Sequence, residues 1–341
     1  MSEISLPFDP LRDHLYTSRE LFDGFSAGDP DSYARSPDIA VLSYFVRHGK
    51  NPTADHRVST LEALHDNSIS EALEDLLHEK TKVVAIMGGH DMNRGTRPYA
   101  DIAHIAHALS AAGFLVVSGG GPGAMEASHL GAAYSALAIA ELDAAIDRLA
   151  GEVALPGNAA SLVDANGHVD ARIARDLHKW FTPAMAIVHE LGDRIGESLG
   201  VPTWLYGFEP TTPFATHTAK YFQNSLREDG LVTMGVQGII YAEGGAGTVQ
   251  EIFQDAAQNF YDAFSPMVFL SSPDAPGRRY WESTLPVRPL IEALLGKKPD
   301  FQAKVLFTDS ARTTIDFLCA QKARTVPSLR SFRPGVKTTS C

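Results

Sequence analysis

Three times along this 341-residue chain, a short β-branched run ends in glycine and gives way to a helical pattern. The instances are "KVVAIMGG" (82–89), "FLVVSGGGPGAMEASHLGAA" (114–133) and "GIIYAEGGAGTVQE" (238–251). Apolar runs without polar alternation mark strands covered on both faces, which is the habit of a parallel sheet. Parallel neighbours cannot be joined by a tight hairpin and need a crossover, usually a helix. The chain is therefore expected to be α/β, a Rossmann-like three-layer fold around a parallel sheet. Further strands are expected at "VPTWLY" (201–206), "PMVFL" (266–270) and "KVLFT" (304–308).

The remainder is expected to decorate that sheet. Residues 1–58, rich in Asp, Pro, Ser and Arg, read as an arm or lid; Leu61, Leu64, Ile69, Leu73, Leu76 and Leu77 then follow at helical spacing. Residues 1–80 thus form an N-terminal arm and helix, 81–325 the nucleotide-binding or catalytic domain, and 326–341 a C-terminal tail. Within the domain, 137–200 reads as a helical insertion broken by a loop at Pro156 to Gly167.

Composition narrows the partners. A formal net charge of -12 argues against nucleic acid or an anionic membrane, since both call for a basic face. A small molecule fits better. The first twenty residues carry no apolar signal-peptide core, and the Ala-rich stretch from Gly131 to Leu142 is too short to span a bilayer. Cys319 and Cys341 alone offer neither a disulfide framework nor a zinc site. A cytoplasmic protein is expected, with no membrane partner.

In a parallel sheet the loops leaving the C-terminal strand ends share one crevice, where helix N-termini favour an anion. Gly119, Gly120, Gly121 and Gly123 in the first loop, and Gly244, Gly245 and Gly247 in the second, would let backbone approach a phosphate, with the Thr248 hydroxyl as a further donor. The plainer alternative is that the glycines only make tight strand-to-helix turns. Neither loop ends in the Gly-Lys-Ser/Thr of an NTPase, and no acidic residue closes the second strand as dinucleotide binding requires. Glu251 also has a plain reading, because Thr248-x-x-Glu251 has capping-box spacing.

"SGGGPGAMEA" followed by "EGGAGTVQE" resembles the Lonely Guy family, the cytokinin riboside monophosphate phosphoribohydrolases, and their longer bacterial nucleotide-nucleosidase relatives. The resemblance runs from about Lys82 to about Phe269. It implies hydrolysis of the N-glycosidic bond of a nucleoside 5′-monophosphate, with Arg227 and Glu251 as the catalytic pair. Gly120, Gly121, Gly123, Met125 and Glu126, with Gly244, Gly245, Gly247 and Thr248, would bind substrate and its phosphate. It also implies a homodimer. Three positions depart from the family pattern: Glu243 stands for a proline, Glu228 for a lysine, and Gln250 for a glutamate.

Arg227 would lie on a helix in which His217, Lys220 and Asn224 share its stripe, opposite Ala219, Phe222 and Leu226. His90 and Asp91 could touch base or ribose, or merely tip a polar loop. Arg94 and Arg97 could clamp an anion or be solvated. Glu126 and His129 read as a surface pair rather than metal ligands, and Trp180, Phe181 and Trp204 as core or dimer contacts. No metal or cofactor is expected: neither loop holds a lysine, so the pyridoxal phosphate aldimine of a decarboxylase has no anchor. The rival from another class is a sensor or carrier of nucleotide derivatives that performs no chemistry.

Overall fold

The computed structural model describes residues 5–50, 53, 55–78, 80–205, 209–261, 264–272 and 279–326. The expected tail, apart from Val326 itself, lies outside the described residues. Among the described residues seven strands form one sheet: β1 (Val83–Met87), β2 (Leu115–Ser118), β3 (Ser198–Gly200), β4 (His217–Thr218), β5 (Ile239–Tyr241), β6 (Met267–Leu270) and β7 (Val305–Thr308). Their order is β4-β3-β2-β1-β5-β6-β7, and each neighbouring pair is parallel. The fold is α/β and Rossmann-like.

Strand alternation builds the layers. Val83, Ala85 and Met87 point into one core, with Phe45, Leu73, Leu231, Ile252 and Ile291 from the helices on that face. Val84 and Ile86 point into the other, with Tyr99, Ile102, Leu130, Leu142 and Leu318. The helix Arg97–Ala111 shows the local logic. Pro98 sits in its first turn, Ile102, Ile105, Ala106 and Leu109 make the buried stripe, and Gly113 at φ 84 lets the chain turn back into β2.

Five of the expected strands are where the apolar runs put them, and the rest of the sheet differs. β3 occupies the last three residues of the expected helical insertion. Over residues 201–205 "VPTWLY" is not a strand, and Tyr206 lies outside the described residues: Pro202 has no N–H to give a ladder, and Thr203 makes only an isolated bridge to Tyr221.

The N-terminal segment is not a free arm. Phe8, Tyr16, Phe22, Tyr33 and Phe45 are buried in the same core as Phe181, Trp204 and Phe222. Tyr16 and Thr218 exchange backbone hydrogen bonds (3.0 and 2.8 Å), and the Lys220 ammonium meets Asp38 at 2.6 Å. This layer fixes the loops after β3 and β4. Among the described residues, no helix is long and apolar enough to cross a membrane.

Candidate active site

The strand order reverses at β1, with β2 on one side and β5 on the other, so the exits of these three strands adjoin. Backbone bonds tie them together: Gly89 N–H donates to the Glu243 carbonyl (3.0 Å), and the Gly89 carbonyl accepts from Ala124 N–H (3.1 Å). A cleft of about 280 Å³ opens over this junction. The β1 exit supplies Gly88 to Asp91, the β2 exit Gly119 and Met125, and the helix Asn224–Met234 Arg227 and Glu228. Gly245 to Thr248, Gln250 and Glu251 come from the start of the helix Ala246–Tyr261, and Glu209 from the loop before β4.

The two glycine loops are built differently. Gly120 and Gly123 both have φ 70, and side chains there would crowd Pro202 (2.9 Å) and the His90 backbone (2.8 Å). Gly119 lies under the Arg227 guanidinium and Met125, and Gly121 under the Met125 methyl group (2.8 Å). For Gly120 and Gly123 the tight-turn explanation is sufficient, while Gly119 and Gly121 leave room for the Arg227 and Met125 side chains. Gly244 is likewise packed on Thr248 and the Gly89 amide (2.9 Å). Gly245 and Gly247 are different, because a Cβ at either would meet nothing within 4 Å. Neither conformation nor packing demands a glycine at those two, and the open space belongs to the cleft. The helix starts at Ala246, so Thr248 lies inside its first turn and cannot be its N-cap; the capping-box alternative for Glu251 does not hold.

Arg227 and Glu251 face each other across this space, with Nη2 3.9 Å from Oε1. Arg227 is 8% exposed and Glu251 7%. Among the described residues the guanidinium makes one hydrogen bond, from Nε to the Val201 carbonyl (3.1 Å), so its Nη donors are left to the cleft. The Glu251 carboxylate has no hydrogen-bond partner among them. Burial raises its pKa to about 7, Arg227 pulls it down, and Glu228 and Glu209 push it up. The expected stripe on one long helix is not found: the helix begins at Asn224, His217 lies on β4, and Lys220 is buried against Asp38. Arg227 reaches the cleft from the helix's first turn.

Other expected residues fall elsewhere. Met125 lines the cleft, but Glu126, 0% exposed, points into the interior. There it accepts from Arg94 Nε (2.7 Å) and Nη2 (2.5 Å) and from the Tyr99 hydroxyl (3.0 Å). Glu126 and His129 are not a surface pair, because every residue of the helix Ala124–Ala133 is buried. Burial pushes the His129 imidazole down to about 3. The neutral ring bonds the Ser118 hydroxyl (2.7 Å) and the Ser198 hydroxyl (2.9 Å), and Ser118 in turn accepts from Gly120 N–H (3.1 Å). Trp180, Phe181 and Trp204 belong to the core.

The departures from the family pattern also find partners. The Glu243 carboxylate accepts from Ser272 N–H (2.6 Å) and does not line the cleft. Gln250 Nε2 donates to Glu228 (2.8 Å), so these two unusual residues answer each other. His90 and Asp91 line the cleft, and His90 Nδ1 lies 3.4 Å from Glu209 Oε1. Glu209 was invisible in the sequence, where a lone glutamate in a loop carries no period or motif.

No protein-family model matches the sequence, and no curated protein matches it. Among solved structures the chain is similar to the molybdenum cofactor binding protein from the phototrophic bacterium Rippkaea orientalis. The TM-score is 0.39 and the identity 13%, over 71% of this chain and 98% of that one. At that distance the likeness assigns no residue of the cleft.

Proposed function

We propose that this protein hydrolyses the N-glycosidic bond of nucleoside 5′-monophosphates, giving free base and ribose 5-phosphate. The observation that carries the reading is the Arg227–Glu251 pair: a guanidinium with spare donors and an unbonded carboxylate, 3.9 Å apart and facing a cleft. A buried pair kept only for stability would close to bonding distance, since uncompensated buried charge is costly. Departure of the base leaves positive charge on the ribose. The Glu251 carboxylate is suited to stabilise that charge and to take a proton from the attacking water. Arg227 Nη donors and the first-turn amides around Gly247 and Thr248 would hold the phosphate or ribose hydroxyls. The space beside Gly245 and Gly247 is room for that group. The resemblance of both loops to the nucleotide-nucleosidase pattern supports the same reading.

A second reading, a module that binds a nucleotide derivative without turnover, has one observation in its favour. Glu209 and Glu228 join Glu251 around a single guanidinium, which weakens the attraction for a phosphate dianion. Incubation of the protein with purine and pyrimidine monophosphates and the matching nucleosides separates the two. Chromatographic detection of free base with equimolar ribose 5-phosphate, from monophosphates only, is expected. Tight binding of a monophosphate with no base released would replace the first reading by the second.

A further inference from the structure

Glu209 is a cleft carboxylate outside the Arg227–Glu251 pair. It stands on the loop between β3 and β4, on the opposite side of β1 from Glu251. Its side chain is 18% exposed, and Oε1 lies 3.4 Å from His90 Nδ1. Oε2 lies 3.5 Å from the place a Cβ on Gly121 would take, so the carboxylate roofs the first glycine loop. Arg227, His90 and Glu251 are the charged or titratable groups that act on it, and Glu228 lines the same cleft. Burial raises its pKa while Arg227 and His90 lower it.

Hydrolysis of an N-glycoside requires two proton movements at separate places. The departing base nitrogen needs a proton, because a purine anion is a poor leaving group, and the attacking water must lose one. One carboxylate cannot serve both positions in the same step, and glycoside hydrolases solve the equivalent problem with two. Resting on the reading proposed above, we propose that Glu209 is the general acid that protonates the departing base, opposite Glu251 as the base that deprotonates water. The C1′–N bond breaks and its electron pair stays on the base nitrogen, which takes the Glu209 proton. The water oxygen bonds C1′, and its proton passes to Glu251. Return of that proton to Glu209 through solvent resets the pair, with one water consumed. His90 holds the Glu209 side chain, and a bound phosphate adds negative charge that keeps the proton on Glu209 until it is transferred.

The test compares leaving groups in the full-length protein. Wild type, Glu209→Gln, His90→Gln and Glu251→Gln are assayed on the purine monophosphate that wild type hydrolyses fastest and on its N7-methyl derivative, whose cationic base departs neutral and needs no proton. Glu209→Gln is expected to lose roughly 10²–10⁴-fold in kcat on the parent compound, the range of general acid catalysis, and less than about 10-fold on the methylated one. Glu251→Gln is expected to fail on both. The ratio between two substrates in one preparation is independent of how much of the variant is folded. Equal losses on both substrates would make Glu209 a binding residue and overturn the proposal, as would a wild-type rate on the parent. Leaving-group selectivity in His90→Gln instead would assign the acid to His90. Absence of base release by wild type on every monophosphate would sink the hydrolase reading and this proposal with it, and is seen without any variant.

Discussion

Two arginine–glutamate pairs lie on either side of the β1 exit, and burial does not tell them apart. Arg94 and Glu126 are 2% and 0% exposed, Arg227 and Glu251 8% and 7%. Bonding does. Arg94 grips Glu126 with two nitrogens, gives a third bond to the Trp180 carbonyl (2.7 Å) and stacks on the Trp180 ring at 3.7 Å. The Tyr99 hydroxyl takes up further capacity on Glu126. Arg227 and Glu251 stop at 3.9 Å, and the carboxylate is bonded to nothing among the described residues. The first pair is complete in itself and holds the β1 exit against the helix Ala124–Ala133. The second becomes complete only when something enters the cleft.

That contrast can be broken at several points. The largest effect is expected from Glu251→Gln and Arg227→Ala, each lowering base release by on the order of 10³-fold while leaving the thermal transition near that of wild type. Loss of the fold in either would move this pair to the structural side. Arg94→Ala should do the opposite, since it leaves Glu126 as a buried, uncompensated charge. A loss of about 3–5 kcal/mol in urea denaturation is expected, and a change under about 1 kcal/mol would show the pair to be dispensable.

The glycines sharpen the same distinction at smaller scale. Gly123→Ala, at φ 70 and packed on the His90 backbone, should cost roughly 1–3 kcal/mol. Gly247→Ala lies in open space in a helix and should gain up to about 1 kcal/mol while weakening ribose 5-phosphate binding in calorimetry. Equal stability changes at the two positions would erase the difference between the loops.

Acidity gives the finest test. Glu251 is raised from 4.5 to about 7 by burial, so the native state holds a proton that the unfolded chain releases. Its stabilising contribution is complete below about 4.5 and is lost as pH rises through about 7. Asp255 and Glu62 are raised to about 7 as well, so the measured quantity is the difference between wild type and Glu251→Gln. Wild type should lose stability relative to the variant between those pH values. If the carboxylate form accepts the water proton, kcat/KM should rise across the same interval; a profile flat there would remove Glu251 from proton transfer.

The sequence announced β1, β2, β5, β6 and β7 because each is a continuous apolar run. It hid β3 and β4, which are three and two residues long and held by pairing rather than propensity. Lys220 fell on an apparent helical stripe by coincidence of spacing, although its partner Asp38 lies 182 positions away. Arg94 and Glu126 are separated by 32 residues and carry no motif. Glu251 and the second loop's glycines stood out because they follow a strand directly, and Arg227 because the resemblance pointed to it; the structure brings Arg227 and Glu251 to the same cleft. Glu209 was not, since a long connection delivers it from the far side of the sheet. The Glu228–Gln250 hydrogen bond shows the same limit: read separately the two residues are departures, and in the fold they are partners.

The most direct measurement is base release under single-turnover conditions, with wild type and Glu251→Gln each in excess over one nucleoside 5′-monophosphate and with binding followed in the same samples. Both proteins are expected to bind the nucleotide, and only wild type to yield free base and ribose 5-phosphate. Base release by Glu251→Gln at the wild-type rate, or binding by wild type with no cleavage, would contradict it.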